Sequence, residues 1–176
     1  MKRLVLMIVV TLIWGMVLTS CSNETTDDCE NCNDTIEEPE EPEVPNEKIT
    51  ITEGIWGTIV QREGNCRPPI QNTCKIFPVE REIWVYEYAR RDKDAFRLEG
   101  SFKFFIKVNT ELIAKTTSDE EGFFELALKP GKYSVFVLEK GLLYASISDG
   151  QGGIMPISVE PYKVSKYNLA INYALD

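Results

Sequence analysis

Five cysteines are the residues of this chain whose type and spacing could do chemistry. Cys29 and Cys32 have the C-x-x-C spacing of a redox or zinc motif, and Cys66 and Cys74 follow later in the chain. These four cysteines allow three disulfide pairings, of which the two local ones are the simplest. No thioredoxin-like βαβ pattern surrounds the first pair, and exported thiols seldom stay reduced. We therefore expect a Cys66–Cys74 disulfide, and Cys29 and Cys32 are candidates for a second one whose bonding the sequence leaves open. A redox site or a four-cysteine zinc site is the alternative.

The chain contains no histidine. This absence removes Ser-His-Asp and Cys-His catalysis, His-ligated zinc and the commonest general base near neutral pH. Paired carboxylates for glycoside hydrolysis stay open, but no insertion in the sequence predicts a cleft. The sequence therefore predicts a protein that is not an enzyme and that needs no cofactor.

Acidic residues in two turns are weak candidates for metal binding. Asp119, which precedes Glu120 and Glu121, and Asp149, in a glycine-rich loop, could offer oxygen ligands to Ca²⁺. Their spacing does not match the twelve-residue EF-hand loop, and ordinary solvated turns explain them more simply. We expect no metal site.

Composition limits the partners and the number of domains. With 176 residues, 27% of them charged and 43% hydrophobic, the chain predicts one globular domain plus accessory segments. The formal net charge of −9 argues against a nucleic-acid partner, because phosphate binding needs clustered Lys and Arg.

Residues 1–20 are typical of a signal peptide. Three residues, Met1-Lys2-Arg3, form a basic start, and the apolar run from Leu4 to Leu18 is shorter than the ~20 residues of a transmembrane helix. The run ends in Leu18-Thr19-Ser20-Cys21, which is similar to the bacterial lipobox, where the cysteine after the cleavage site carries lipid. The resemblance implies an acylated Cys21 that anchors the protein in the outer membrane. A plain signal anchor with a chance cysteine is the alternative.

Residues 21–47 are predicted to be a tether that starts at this cysteine. The segment from Ser22 to Glu47 holds eleven acidic residues and no basic one, with Pro39, Pro42 and Pro45 between the glutamates. Such a composition buries little apolar surface and repels itself, so we expect an extended, disordered segment. Acidic residues close after a lipidated cysteine also resemble the surface-export signals of some bacterial lipoproteins, which implies display at the cell surface. A solvated spacer is the alternative.

Residues 48–176 alternate apolar and polar side chains with the period of β-strands. The central stretch runs from Thr117 to Val137, with a turn at Asp119–Gly122 and a second turn at Pro130-Gly131. Proline and glycine suit the two central positions of a turn, so we predict a hairpin there.

Seven to nine short strands that follow one another every 8–12 residues predict an all-β fold, an antiparallel Greek-key β-sandwich. We interpret 62–79 as a loop closed by Cys66 and Cys74, and 90–94 as a charged turn. The other predicted strands are 49–51 with 54–61, 81–88, 102–108 paired with 111–117, 142–148, 155–159, and 163–175 with Tyr167, Leu169, Ile171, Tyr173 and Leu175 on one face.

The central stretch also carries a family resemblance. The order of Asp119, Gly122, Phe124, Leu126, Leu128, Pro130-Gly131, Tyr133, Val135 and Val137 resembles the central hairpin of carboxypeptidase regulatory-like domains, which share a transthyretin-like β-sandwich. The similarity continues loosely upstream through Gly57-x-Ile59-Val60 and Ile83-x-Val85. It implies an accessory module. The transthyretin-like hydrolases rely on histidine, so this chain cannot share their chemistry.

The register implied by the resemblance predicts an aromatic surface. With Ile83 and Val85 facing the core, alternate side chains share the opposite face of the sheet. The rings on this outer face, here called the ring platform, are Trp84, Tyr86, Tyr88, Phe123 and Phe136. Such rings are a candidate surface for sugars or a partner protein. The alternative is that the loop 62–79 or the chain end covers them and makes a second small core.

Two functions follow as expectations. The first is a membrane-anchored lipoprotein that displays a non-catalytic β-sandwich as a binding module for a glycan or protein at the cell envelope. The second is a structural or accessory subunit of an envelope complex, held through sheet edges or through the acidic tether.

Overall fold

The computed structural model describes residues 48–67 and 73–175. This part of the chain contains twelve strands and no α-helix. The strands are β1 Gly54–Glu63, β2 Lys75–Pro78, β3 Glu82–Glu87, β4 Ala95–Arg97, β5 Phe104–Val108, β6 Leu112–Thr117, β7 Phe123–Ala127, β8 Gly131–Glu139, β9 Leu142–Tyr144, β10 Pro156–Val159, β11 Val164–Lys166 and β12 Leu169–Asn172. The signal peptide and the tether predicted for 1–20 and 21–47 lie outside the described residues.

The first sheet has five strands and is built on β1. β11 and then β12 run parallel to β1 along one side, in a register that pairs Gly54 with Val164 and Ile59 with Leu169. β7 and then β2 pair antiparallel with the other side of β1. The ten residues of β1 therefore hold together four shorter strands.

The second sheet has seven strands, in the order β4-β5-β9-β8-β3-β6, with β10 also paired to β8. β8 and β9 form a hairpin through the two-residue turn Lys140-Gly141, in which both residues have positive φ. Such a turn matches the right-handed twist of the strands it joins. β4 and β6 lie at the two ends of this order, and β10 pairs with β8 alone.

The core lies between the two sheets, as expected for a β-sandwich. Ile55 and Ile59 of β1 are fully buried, as are Ile83, Val85 and Val135 of the second sheet. Burying aliphatic side chains of this size contributes about 1.5–3 kcal/mol each relative to exposing them. The all-β sandwich predicted from the sequence is confirmed, but the described residues form twelve strands instead of seven to nine, and β11 and β12 run parallel to β1 instead of antiparallel.

The pairing of the central stretch differs from the prediction. β7 pairs with β1 in the first sheet, whereas β8 pairs with β3, β9 and β10 in the second. The connection at Pro130-Gly131 therefore crosses from one sheet to the other, and the predicted hairpin at this point is wrong. Gly131 is not among the residues with positive φ, whereas Gly122 is, at 77°. A turn sequence fixes where the chain reverses, but partners elsewhere decide which sheet each strand joins.

Other strand boundaries and partners were also missed. The predicted loop 62–79 contains β2, and the strand β4 follows the charged turn at 90–94. β5 and β6 exist close to their predicted bounds but do not pair with each other, since β5 pairs with β4 and β9 and β6 pairs with β3. The last predicted strand, 163–175, is divided into β11 and β12. Leu169 and Ile171 of β12 are buried, whereas Leu175, which follows β12, is 60% exposed.

Candidate functional site

Asp119, one of the two weak candidates for metal binding, organises the turn between β6 and β7. Its Oδ1 accepts the backbone N–H groups of Glu121 and Phe123 at 3.0 and 2.9 Å, and its Oδ2 lies 2.8 Å from Lys48 Nζ. Burial disfavours the charged form, but the hydrogen bonds from Lys48 and the backbone outweigh it and lower the pKa of Asp119. Both carboxylate oxygens therefore already serve the fold.

Asp149, the other candidate, closes the glycine-rich loop. Its Oδ2 accepts the Tyr88 hydroxyl at 2.7 Å and Lys132 Nζ at 3.3 Å, and its Oδ1 accepts the backbone N–H groups of Gln151 and Gly153. The Tyr88 hydroxyl is the main cause that holds the pKa of Asp149 far below its ordinary value. Across 48–67 and 73–175, no three His, Cys, Asp or Glu side chains converge as metal ligands.

The disulfide between Cys66 and Cys74 is present, with the two Cα atoms 4.7 Å apart. It closes the connection between β1 and β2, which pair antiparallel up to Glu63 and Lys75. The predicted pairing of these two cysteines is confirmed. Cys21, Cys29 and Cys32 lie outside the described residues.

The ring platform does not exist as one surface. Phe123 belongs to the first sheet, where it pairs with Thr58 of β1, while the other four rings belong to the second sheet or its margin. Phe136 is fully buried and Tyr86 is 7% exposed. The rings of Tyr86 and Phe105 pack edge-on against Phe136, at centroid distances of 5.6 and 5.8 Å.

These three rings belong to the hydrophobic core cluster that also contains Ile83 and Val135. Arg91, from the charged turn, places its guanidinium carbon 5.6 Å from the centre of the Phe105 ring. Alternation along a strand predicts the side to which a ring points and not whether another segment covers that side. The burial of Phe136 by Phe105 and Tyr86 therefore had no signal in the sequence of β8.

The remaining rings are half-buried, and a lysine covers each of them. Lys115 Nζ lies 3.3 Å from the centre of the Trp84 ring, and Lys132 Nζ lies 3.9 Å from that of Tyr88. Lys48 Nζ lies 5.2 Å from the centre of the Phe123 ring. An ammonium group over a ring occupies the face on which a sugar would stack.

The open side of the sandwich offers a different site. β6 is an edge of the second sheet and β7 pairs only with β1 in the first, so the two consecutive strands flank a groove between the sheets. We call this the side groove. Its central part is a depression of about 450 Å³ lined by Glu111, Ile113, Ala114, Ala127, Leu128, Lys129 and Tyr133.

Two further depressions extend the side groove. One shares Ile113 and Tyr133 with the central part and continues to Tyr88 and Lys132. The other shares Ala127–Lys129 and continues along Thr50–Glu53. The floor is apolar, since Leu128 and Tyr133 are 5% and 9% exposed, and charged side chains of both signs lie at the rim. The Tyr133 hydroxyl donates to Lys129 O at 2.8 Å, which fixes the end of the groove.

β6 presents unpaired backbone groups beside this groove. The N–H of Ser118 donates to Arg81 O, so Thr116 and Ala114 follow as the residues hydrogen-bonded to β3. In an antiparallel pair the intervening residues, Lys115 and Thr117, point their N–H and C=O groups away from the partner strand. Among the described strands β6 pairs with β3 alone. Sequence reasoning missed this site because edge position depends on pairing and not on the composition of β6.

Comparison of this chain with protein-family models, with curated proteins and with solved structures finds no match. In the part of the chain that the structure describes, no helix has the length and apolar character needed to cross a membrane.

Proposed function

We propose that this chain is a lipid-anchored envelope protein whose β-sandwich is a non-catalytic module that binds another protein. The anchor rests on the sequence Leu18-Thr19-Ser20-Cys21, and the outer membrane is the location that we propose for it. The partner contributes an extended segment, which adds to β6 as a further strand. The observation that carries the proposal is the free edge of β6 beside the side groove.

Strand addition uses the two features that this edge combines. The backbone N–H and C=O groups of Lys115 and Thr117 can form hydrogen bonds with the backbone of any extended segment, and these bonds give affinity. Pockets for alternate side chains give selectivity, and the apolar floor at Leu128 and Tyr133 is such a pocket. We therefore expect a partner segment with an apolar side chain at every second position.

A protein fits the geometry better than a glycan does. Sugar recognition by stacking needs open aromatic faces, and the faces of Trp84 and Tyr88 are occupied by Lys115 and Lys132. Phe136 and Tyr86 are buried. The side groove, in contrast, offers an apolar surface together with backbone donors and acceptors.

Site-specific photo-crosslinking of the full chain in intact cells tests the proposal. A photoreactive residue replaces Ile113, which is 39% exposed in the side groove, and as control it replaces Tyr162, which is 94% exposed elsewhere. We expect one protein adduct at position 113 and none of the same mass at position 162. Equal adducts at both positions, or adducts with oligosaccharide only, would contradict the proposal.

A proline substitution separates edge pairing from side-chain contact. Thr117→Pro removes a backbone N–H that points away from β3, so the bonds between β6 and β3 remain. Thr117→Val keeps that N–H and serves as the matched control. We expect the adduct at position 113 to be lost in Thr117→Pro and kept in Thr117→Val, with both variants showing the same thermal unfolding midpoint as the parent.

A further inference from the structure

The hairpin of β4 and β5 exposes four large apolar side chains close together in sequence. Phe102 is 75% exposed, Ile106 61%, Phe96 56% and Leu98 38%. These residues make up four of the ten large hydrophobic side chains that the described part of the chain exposes. We call the segment Ala95–Val108 the apolar hairpin.

The exposure is built into the backbone of the apolar hairpin. The turn is fixed by bonds from Ser101 N–H to Leu98 O and from Lys103 and Phe104 N–H to Ser101 Oγ. The register shifts between Phe96 and Arg97, so that Ile106 is the extra residue opposite them. The extra residue of a bulge is left unpaired, so Ile106 lies outside the pairing of β4 with β5.

The same hairpin is basic. Within Ala95–Val108 the charged residues are Arg97, Lys103, Lys107 and a single acidic one, Glu99. Arg91 adds a further positive charge, because its guanidinium donates to Phe102 O at 3.0 Å. Arg97 lies over the exposed Phe102 ring at 5.5 Å. Residues 48–176 as a whole hold 17 basic and 17 acidic residues, so this local excess stands out from a neutral domain.

We infer that the apolar hairpin docks on the surface of an anionic lipid bilayer. Phenylalanine, leucine and isoleucine side chains enter the boundary between headgroups and acyl chains, and flanking Lys and Arg pair with anionic phosphates. One hairpin thus supplies side chains for both parts of the bilayer surface. The neighbouring side chains Phe105 and Val108 are buried in the hydrophobic core and hold the hairpin in place.

Two other candidate partners for the apolar hairpin, a second copy of the chain and the acidic segment 22–47, do not match both its charge and its apolar side chains. A second copy of the chain pairing edge to edge through β4 would bring like charges together, which opposes association. The acidic segment 22–47 complements the charge, but apart from Ile36 and Val44 it brings no aliphatic or aromatic side chain to cover the exposed apolar groups.

The proposed anchor at Cys21 would keep the hairpin near a bilayer at high effective concentration. The inference rests on the proposed function only in this respect, because the anchor raises the apparent affinity of the hairpin for the bilayer. The test uses the full chain, reconstituted into vesicles of phosphatidylcholine, with or without added phosphatidylglycerol. Amide hydrogen exchange over 95–108 is the readout. We expect slower exchange in anionic vesicles than in neutral ones, with no difference over β12.

Charge variants make the result specific. Arg97→Gln with Lys107→Gln, both at exposed positions, should reduce the protection about fivefold for each basic residue removed, since each contributes ~1 kcal/mol near an anionic surface. Lys75→Gln with Lys163→Gln changes the net charge equally at exposed sites outside the hairpin and should leave protection unchanged. Phe102→Ser should abolish it.

Three results would overturn the inference. Equal exchange in neutral and anionic vesicles excludes an anionic bilayer as the occupant. Protection from exchange that is already present in detergent would show that the acidic segment 22–47 covers the hairpin. Protection that rises with the amount of protein per vesicle would show that a second copy of the chain covers it. A failed anchor is recognised separately, because the chain would then not float with neutral vesicles.

Discussion

Arg81 Nε donates to Glu139 Oε2 at 2.6 Å, although the Glu139 side chain is only 4% exposed. The same carboxylate accepts the Tyr173 hydroxyl at 2.9 Å, and Arg81 also donates to Gln61 Oε1 at 3.3 Å. Gln61 lies on β1 and Tyr173 follows β12, both in the first sheet, whereas Glu139 ends β8 in the second. This pair therefore connects the two sheets at one end of the sandwich.

Arg81→Leu should destabilise the fold by about 2 kcal/mol. Removing one partner leaves a buried charge uncompensated, and the cost is moderated because the Arg81 side chain is 32% exposed. Urea unfolding followed by circular dichroism measures the loss. The double variant Arg81→Leu with Glu139→Leu should recover part of it, and a double variant as unstable as the sum of both single ones would show that the two residues act independently.

Acid should weaken the fold through Glu139. Burial favours the neutral acid, but the hydrogen bonds from Arg81 and Tyr173 outweigh it and lower the pKa of Glu139 below its ordinary value of 4.5. The unfolded chain then binds the proton more tightly, so this contribution is complete above pH 4.5 and is lost as the pH falls below it.

Thermal unfolding of Glu139→Gln across that range checks the prediction. The midpoint of the variant should vary less with pH than that of the parent. Glu160→Gln, at a side chain 66% exposed, serves as control. A parent and a Glu139→Gln variant with the same pH profile would rule out this origin of acid sensitivity.

Removal of the Cys66–Cys74 disulfide should cost about 2.5 kcal/mol, because the bond closes a short loop in the unfolded chain. Cys66→Ala with Cys74→Ala is the variant, and denaturant unfolding is the measurement. Peptide mapping without reductant should recover the linked peptides from the parent. Free thiols at both positions in protein isolated from the envelope would contradict the assignment.

Gly57→Ala should be among the most damaging small substitutions in the domain. A Cβ atom at Gly57 would lie 2.2 Å from Tyr167 O, where the chain passes from β11 to β12. Separating these strands from β1 should cost about 3 kcal/mol or more. A Cβ atom at Gly141 would have no atom within 4 Å. Gly141→Ala should therefore cost only the strain of an alanine at a φ of 77°, about 1 kcal/mol, and it serves as the control for loss of glycine alone.

Lipidation at Cys21 is checked by metabolic labelling with an alkyne fatty acid. The parent chain should be labelled and Cys21→Ala should not be. Equal labelling of parent and variant would remove the basis for the anchor.

The sequence predicted the strands better than their partners. Alternation of Phe124 with Leu126 and of Val135 with Val137 located β7 and β8 closely, because each strand buries one face. Nothing in Pro130-Gly131 distinguishes a turn within a sheet from a turn between sheets. That choice depends on β1 and β3, which are far away in sequence and supply the partners of β7 and β8.

The candidate sites show the same division. The nine-residue span of Cys66 to Cys74 predicted their bond, because closure of a short loop is a local matter. The side groove arises from the positions of β6 and β7 at the margins of different sheets, and the fate of Phe136 depends on Phe105 and Tyr86. Such contacts between distant segments leave no period or motif in the sequence.

The parallel pairing of β1 with β11 and β12 has a mechanical consequence. β1 starts six residues after Lys48, and β12 ends three residues before Leu175. Because the strands are parallel, the start of β1 and the end of β12 lie at opposite ends of the first sheet. A force that pulls Lys48 and Leu175 apart acts along the strands, so it loads the backbone hydrogen bonds between β1 and its parallel partners in shear. Bonds in shear must rupture together, whereas those of a hairpin pulled from its open end unzip singly. The domain is thus built to bear tension between its two ends.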